Sequence, residues 1–195
     1  MRQVPADDFE ARYRLDDDPW QFATSEYEQR RFDITVASLP AVRFGRVFEP
    51  GCAGGELTVR LSQRCDELVA CDGSPTVLRR ARQRVAEAAD PLCRVELDVG
   101  VIPEWWPSGD FDLIVLSEIG YYFDAPALSE LVARVEGALV DGGTLLAVHW
   151  RGVSEDHLLS GDEVHTIVGS TVVRQHQGAH LEPGFRLDWW GSDGI

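Results

Sequence analysis

A chain of 195 residues with 44% hydrophobic and 26% charged residues has the size and composition of an ordinary folded domain, which excludes a disordered or fibrous protein. The net charge of −15 is the wrong sign for gripping a phosphate backbone, so the sequence predicts no nucleic acid partner, and no apolar run reaches the roughly 20 residues of a membrane span, so it predicts no membrane partner. All the basic side chains are Arg, which removes a lysine nucleophile or Schiff base from the list of mechanisms.

The segment Met1–Glu10 is acidic and lacks an apolar stretch, so no secretory signal is expected and the composition favours the cytoplasm. From Phe9 to Leu39, aromatic residues (Phe9, Tyr13, Trp20, Phe22, Tyr27, Phe32) alternate with charges, and two helices joined at Asp18-Pro19 are predicted. From Val42 to Val148 short β-branched or apolar runs alternate with helical spacing, the pattern of an α/β fold with a mostly parallel sheet. The predicted strands are Arg46–Glu49, Glu67–Asp72, Cys93–Asp98, Phe111–Ser117 and Thr144–Trp150. Between them lie predicted helices Glu56–Arg64, Pro75–Ala89 and Ala125–Leu139, the last closed by Asp141-Gly142-Gly143 as a C-cap and tight turn. The tail adds a helical stretch over Asp162–Val168, then extended runs at Thr171–Gln175 and Phe185–Trp190 that could pair as an antiparallel hairpin. One domain over 1–195 is expected, with a helical lid (1–40), a cofactor-binding core (41–150) and a C-terminal helix and hairpin (151–195).

The sharpest motif is Glu49-Pro50-Gly51-Cys52-Ala53-Gly54-Gly55, between a predicted strand and helix. Glycines there let the backbone turn tightly and approach a ligand with no Cβ in the way. A carboxylate at the strand end would repel a diphosphate but receive a cationic amino group, so the ligand that fits is zwitterionic. An ordinary β-to-α turn is the alternative. Asp72 ends the second strand 23 residues after Glu49, where it can accept from both hydroxyls of a ribose, or else merely cap the helix after Pro75.

These residues resemble the first motif of Rossmann-like S-adenosylmethionine methyltransferases, acid-x-Gly-x-Gly-x-Gly, with Ala53 in place of the central glycine, a small residue expected to cost little. The resemblance covers about Val47 to Trp150. A closer likeness, carried by Phe9-Glu10, Asp18-Pro19-Trp20, Ala23-Thr24-Ser25-x-Tyr27-Glu28, Cys52-Ala53 and Trp105-Trp106-Pro107, is to the nodulation protein S family. It implies the Rossmann-like methyltransferase sandwich and S-adenosyl-L-methionine as cofactor. It further implies a cofactor set of Glu49, Gly51, Cys52, Ala53, Gly55, Asp72, Gly73, Asp98, Val99 and Ser117, with Tyr13, Trp20 and Arg31 supplied by the lid. The implied acceptor is the amine of a de-acetylated chitooligosaccharide. For the aromatics a plain core role is the competing reading.

A base for the acceptor must lie at the carboxyl ends of the fourth and fifth strands, where open α/β sheets bind ligands. Glu118 and His149 occupy those ends, and Tyr121 and Tyr122 could wall an acceptor site. The competing readings are a helix cap for Glu118 and a local hydrogen bond for His149. Cys52, Cys65, Cys71 and Cys93 show no zinc spacing and read as structural thiols, and His176 and His180 lie in a presumed hairpin arm, so no metal is expected. A nicotinamide-dependent oxidoreductase and a non-catalytic cofactor-binding protein are the rival functions. Neither the acceptor beyond a small molecule nor the oligomeric state is fixed by the sequence.

Overall fold

The computed structural model describes residues 2–191, which form two compact units, Pro5–Ser108 and a second that runs from Gly109 onward and includes the stretch before Pro5. The first unit contains helices α1 (Ala6–Leu15) and α2 (Glu26–Ala37), then strands β1 (Phe44–Pro50), β2 (Cys65–Asp72) and β3 (Arg94–Val99). Helices α3 (Glu56–Ser62) and α4 (Pro75–Ala88) connect the strands. All three strands are parallel, with β2 between β1 and β3. Parallel strands need a crossover, and each of the two here is a helix. Helix α4 begins where Ser74 accepts from Val77 N–H and Pro75 supplies a preset φ at the first turn.

The second unit contains β4 (Phe111–Ser117), a 3-10 turn at Gly120–Tyr122, α5 (Ala125–Ala138), β5 (Leu139–Trp150), α6 (Gly161–Thr171), β6 (Gln175–Leu181) and β7 (Phe185–Gly191). Strands β4 and β5 are parallel, β7 runs antiparallel to β5, and β6 runs antiparallel to β7. Leu113–Leu116 of β4 and Leu145–Val148 of β5 are wholly buried, as expected for strands covered on both faces. Gln3 bridges to Phe123, and Asp124 N–H donates to Arg2 carbonyl, so residues 2–4 pin the 3-10 turn. No helix among the described residues is long and apolar enough to cross a membrane.

Three predicted boundaries move. Asp18 does not sit at a sharp joint between helices; its carboxylate accepts from Phe22 and Ala23 N–H inside a longer connection. The Asp141-Gly142-Gly143 stretch is no helix cap: Leu139 already pairs with Phe111, Thr144 pairs with Leu113, and the residues between bulge out of β5 with Gly142 at φ 84°. Thr171 closes α6 rather than opening a strand, and the first hairpin arm is Gln175–Leu181. That arm is polar because it has only β7 beside it, so it shows none of the apolar alternation that identifies a strand.

Candidate active site

In the first unit the turn after β1 is held from β2. Gly51 N–H and Cys52 N–H both donate to Cys71 carbonyl, at 2.7 and 2.9 Å, and Ala53 N–H donates to Asp72 Oδ2 at 3.0 Å. Three residues of the turn take left-handed backbone: Gly51 at φ 72°, Ala53 at φ 47° and Gly55 at φ 82°. A Cβ on Gly55 would sit 3.3 Å from Ala81 Cα and Cβ, so this glycine also lets α3 start against α4. The left-handed φ at Ala53 costs about 1–2 kcal/mol, which corrects the expectation that replacing the central glycine costs little.

Glu49 is 2% exposed, and Thr58 Oγ1 of α3 donates to its carboxylate at 2.7 Å. Burial pushes the Glu49 carboxyl up to about 8, the Thr58 bond opposes the shift and the charge of Asp72 adds to it. Burial also raises Asp72 to about 6, against the N–H bonds from Ser74 and Ala53. Asp72 is therefore not the cap of α4, a role taken by Ser74. It ties the β1–α3 turn to the β2–α4 turn with one backbone N–H on each oxygen, and each oxygen keeps a lone pair for a further donor. Two carboxyls raised by burial in one sheltered corner are what a cation and two hydroxyls would stabilise.

Strand register puts Asp98 opposite Cys71 and Val99 opposite Asp72, both exposed at the end of β3, and Pro50 opposite Cys71 on the other side, so the ends of three strands lie side by side. Gly73 packs under α1: a Cβ on it would come within 3.0 Å of Ala6 Cβ. Glu10 of α1 accepts from Ser74 Oγ, Thr76 N–H and Thr76 Oγ1, bonds that hold its carboxyl down at about 2. Tyr13 is buried and meets Trp20 edge to face, and Trp20 stacks on Phe22, which meets Phe32. Arg31 is fully buried, ion-paired with Glu28 and lying over the Phe32 ring at 5.1 Å. Phe9, Tyr13, Trp20, Phe22 and Phe32 thus form one continuous packed series. Cys52, Cys65, Cys71 and Cys93 are free thiols, each pushed up by burial and so poor nucleophiles.

In the second unit, Ser117 ends β4 at 8% exposure and Glu118 follows at φ 59°, a left-handed conformation that a glutamate holds only under constraint. The constraint is visible. Glu118 Oε1 accepts from Trp150 N–H at 2.7 Å and Oε2 from the Tyr121 hydroxyl at 2.6 Å, so Glu118 caps no helix. Tyr121 meets Tyr122 edge to face, and the ring of His157 stacks on Tyr121 with centroids 3.7 Å apart. Trp150 stands edge-on to His157.

His149 does not fit the role of base. It is wholly buried, its Nε2 accepts from Gly120 N–H at 3.0 Å and its Nδ1 lies 3.2 Å from His165 Nε2. His165 in turn meets Asp188, which His176 and Arg186 also reach, while His180 pairs with Glu182. Sequence reasoning missed His157, His165 and Asp188. The one available signal was Asp188, an acid in a largely apolar strand.

The geometry agrees with the known proteins that the chain is similar to. A chain from Pseudomonas syringae solved as a candidate methyltransferase is 41% identical, with TM-score 0.72 over 86% of this chain and 99% of that one. The N-methyltransferase NodS from Bradyrhizobium japonicum WM9, in complex with S-adenosyl-L-homocysteine, superposes with TM-score 0.78 over 98% of this chain and 100% of that one, at 23% identity. Nodulation protein S from Rhizobium tropici is 29% identical over 132 residues, 67% of this chain and 54% of its own length, so the chain spans about half of this curated relative. The fold is therefore the Rossmann-like methyltransferase fold, α/β with a mostly parallel sheet and antiparallel C-terminal strands. The family model for Nodulation protein S (NodS) matches residues 6–147, and the chain belongs to that family.

Proposed function

We propose that the chain is an S-adenosylmethionine-dependent methyltransferase that methylates the nitrogen of a small amine, with an aminosugar amine as the favoured acceptor. The observation that carries this reading is Glu49: a buried carboxyl beside a glycine turn, raised to about 8 by its burial and, to a lesser degree, by the charge of Asp72. The residues fit the cofactor. Glu49 would hold its ammonium, Asp72 its ribose hydroxyls, the backbone of 51–55 would approach it closely, and Gly73, Asp98 and Val99 would complete the contacts. When bound, the cofactor supplies an electrophilic methyl group on a sulfonium.

On the acceptor side the Glu118 carboxylate can take a hydrogen bond from an amine and accept its proton, because methyl transfer needs a neutral nitrogen lone pair. Tyr121 fixes one oxygen of that carboxylate and Trp150 N–H the other, so the group is presented in one orientation. The ring faces of Tyr121, Tyr122 and His157 suit a flat sugar face or a cation. Release of S-adenosylhomocysteine should be measured across amines, aminosugars, phenols and carboxylates. The expected result is turnover with de-N-acetylated chitooligosaccharide or a related amine, and turnover confined to phenols or carboxylates would refute nitrogen methylation. Glu118→Gln should lower kcat/KM for the amine about tenfold, the loss of one charge-assisted hydrogen bond, and leave S-adenosylhomocysteine affinity unchanged.

We assign Phe9–Leu39 as a lid that tightens on the cofactor, through Tyr13, Trp20 and Arg31. Its attachment by Glu10 to Ser74, the residue whose N–H Asp72 holds, supports such a coupling. Amide exchange in α1 and α2 should slow when S-adenosylhomocysteine is added, and equal protection with and without it would make the segment a fixed part of the fold.

A further inference from the structure

Four elements of the second unit meet in a buried polar chain whose proton positions are fixed by its two ends. Gly120 N–H faces His149 Nε2 at 3.0 Å, and a peptide nitrogen can only donate, so that ring nitrogen carries no proton. Neutral His149 therefore has its proton on Nδ1 and donates it to His165 Nε2, 3.2 Å away. His165 must then carry its own proton on Nδ1, which lies 2.6 Å from Asp188 Oδ2. All three side chains are buried, at 0%, 1% and 1% exposure.

A charged His165 is incompatible with this order, since a proton on its Nε2 would push the His149 proton onto the nitrogen that Gly120 already occupies. Burial lowers the basicity of His165, while Asp188 opposes that shift. Burial alone would raise Asp188, but the bonds from His165, Arg186 and His176 outweigh it and keep the carboxyl below its usual range. From these tautomers we infer that His165 and Asp188 are positioning residues for methyl transfer: through His149 they hold Gly120, and with it the turn that carries Tyr121 and Tyr122. This rests on reading Glu118 and Tyr121 as the acceptor side.

The turn has no slack to replace that hold. A Cβ on Gly120 would come within 2.5 Å of Val164 Cγ1 and 2.9 Å of His149 Nε2, so α6 and the imidazole clamp the same peptide. His149 also stands edge-on to Tyr121, with centroids 5.3 Å apart, and the Tyr121 hydroxyl bonds Glu118. A shift of the imidazole is thereby passed to the carboxylate through one ring.

The test has two arms on the full chain. Long-range 1H–15N NMR should show the Nδ1–H tautomer at both His149 and His165 from about pH 6 to 8, the reverse of the form a solvated histidine side chain prefers; an Nε2–H form or a protonated ring at either would overturn the inference. In the second arm His165→Gln, whose amide can accept from His149 and donate to Asp188, should keep Gly120 amide protection and kcat within about threefold of the parent. His165→Phe should expose the Gly120 amide to exchange and lower kcat with de-N-acetylated chitobiose at least about tenfold, S-adenosylhomocysteine affinity unchanged. Equal kcat or equal Gly120 protection in the two variants would refute a positioning role. Should the parent methylate no amine, the acceptor reading fails, and the tautomers and Gly120 exchange still decide the relay. Should the Phe variant not fold, the parent's tautomers and the Gln variant decide it.

Discussion

Replacing Glu49 with Gln should weaken S-adenosylhomocysteine binding about 100-fold and, at the same time, make the ligand-free chain more stable at alkaline pH. The two effects have one cause. A carboxylate buried without a cation is costly, and the same carboxylate paired with the ligand's ammonium gains a charge-assisted bond, whose loss costs about 3 kcal/mol. Glu49 releases its proton near 4.5 when unfolded and near 8 in the fold, so between those values the unfolded chain binds fewer protons. Stability is thus full below the lower value and is lost as pH rises towards the upper one. Gln does not titrate. The unfolding midpoint of Glu49→Gln should match the parent near pH 4.5 and exceed it near pH 8 in the absence of ligand. Calorimetry with 5′-methylthioadenosine, which lacks the amino acid portion, should give equal affinities for variant and parent. A variant that loses both ligands equally would show that Glu49 shapes the turn instead of meeting the ammonium.

Asp72→Ala should weaken both ligands by the same factor, because the ribose is common to them. About 1–3 kcal/mol, roughly 5- to 150-fold, is expected for loss of hydrogen bonds to a charged group. The substitution also frees Ala53 N–H and Ser74 N–H, so Asp72→Asn, which keeps one acceptor oxygen, separates the structural loss from the loss of ribose contact. In the parent the ionised acid is the acceptor, and affinity for both ligands should fall as pH drops through about 6. Affinity for 5′-methylthioadenosine that is unchanged in Asp72→Ala would leave Asp72 as a brace between two turns.

Glu49, the glycine turn and Asp72 were legible in the sequence because each depends on local backbone: a strand end, a left-handed turn, the next strand end. The acceptor side depends on meetings across the chain. His149 could be placed at the end of β5 from its spacing, but its work is set by Gly120 and His165, which reach it from the 3-10 turn and α6. His157 lies in the connection between β5 and α6, where no period marks it. The Gly142-Gly143 pair illustrates a different limit, since two glycines serve a helix end and a strand bulge equally well, and only the pairing of Leu139 with Phe111 decides between them. Ala53 shows the converse: its place in the motif is plain from its neighbours, and only the backbone angle reveals its strain.

The polar character of β6 has a consequence for how the chain behaves at high concentration. An outer strand offers a row of amide donors and acceptors to any neighbouring molecule, and proteins blunt such rows to avoid stacking edge to edge. Here Gln175, His176 and Gln177 are exposed, the ladder slips between His176 and Gly178, and Pro183 sits in the connecting turn before β7. A bulged strand with hydrophilic side chains is a poor template for a second sheet, and like-charged chains of net −15 repel one another as well. The residues that made this strand hard to recognise are thus the ones that guard it against aggregation.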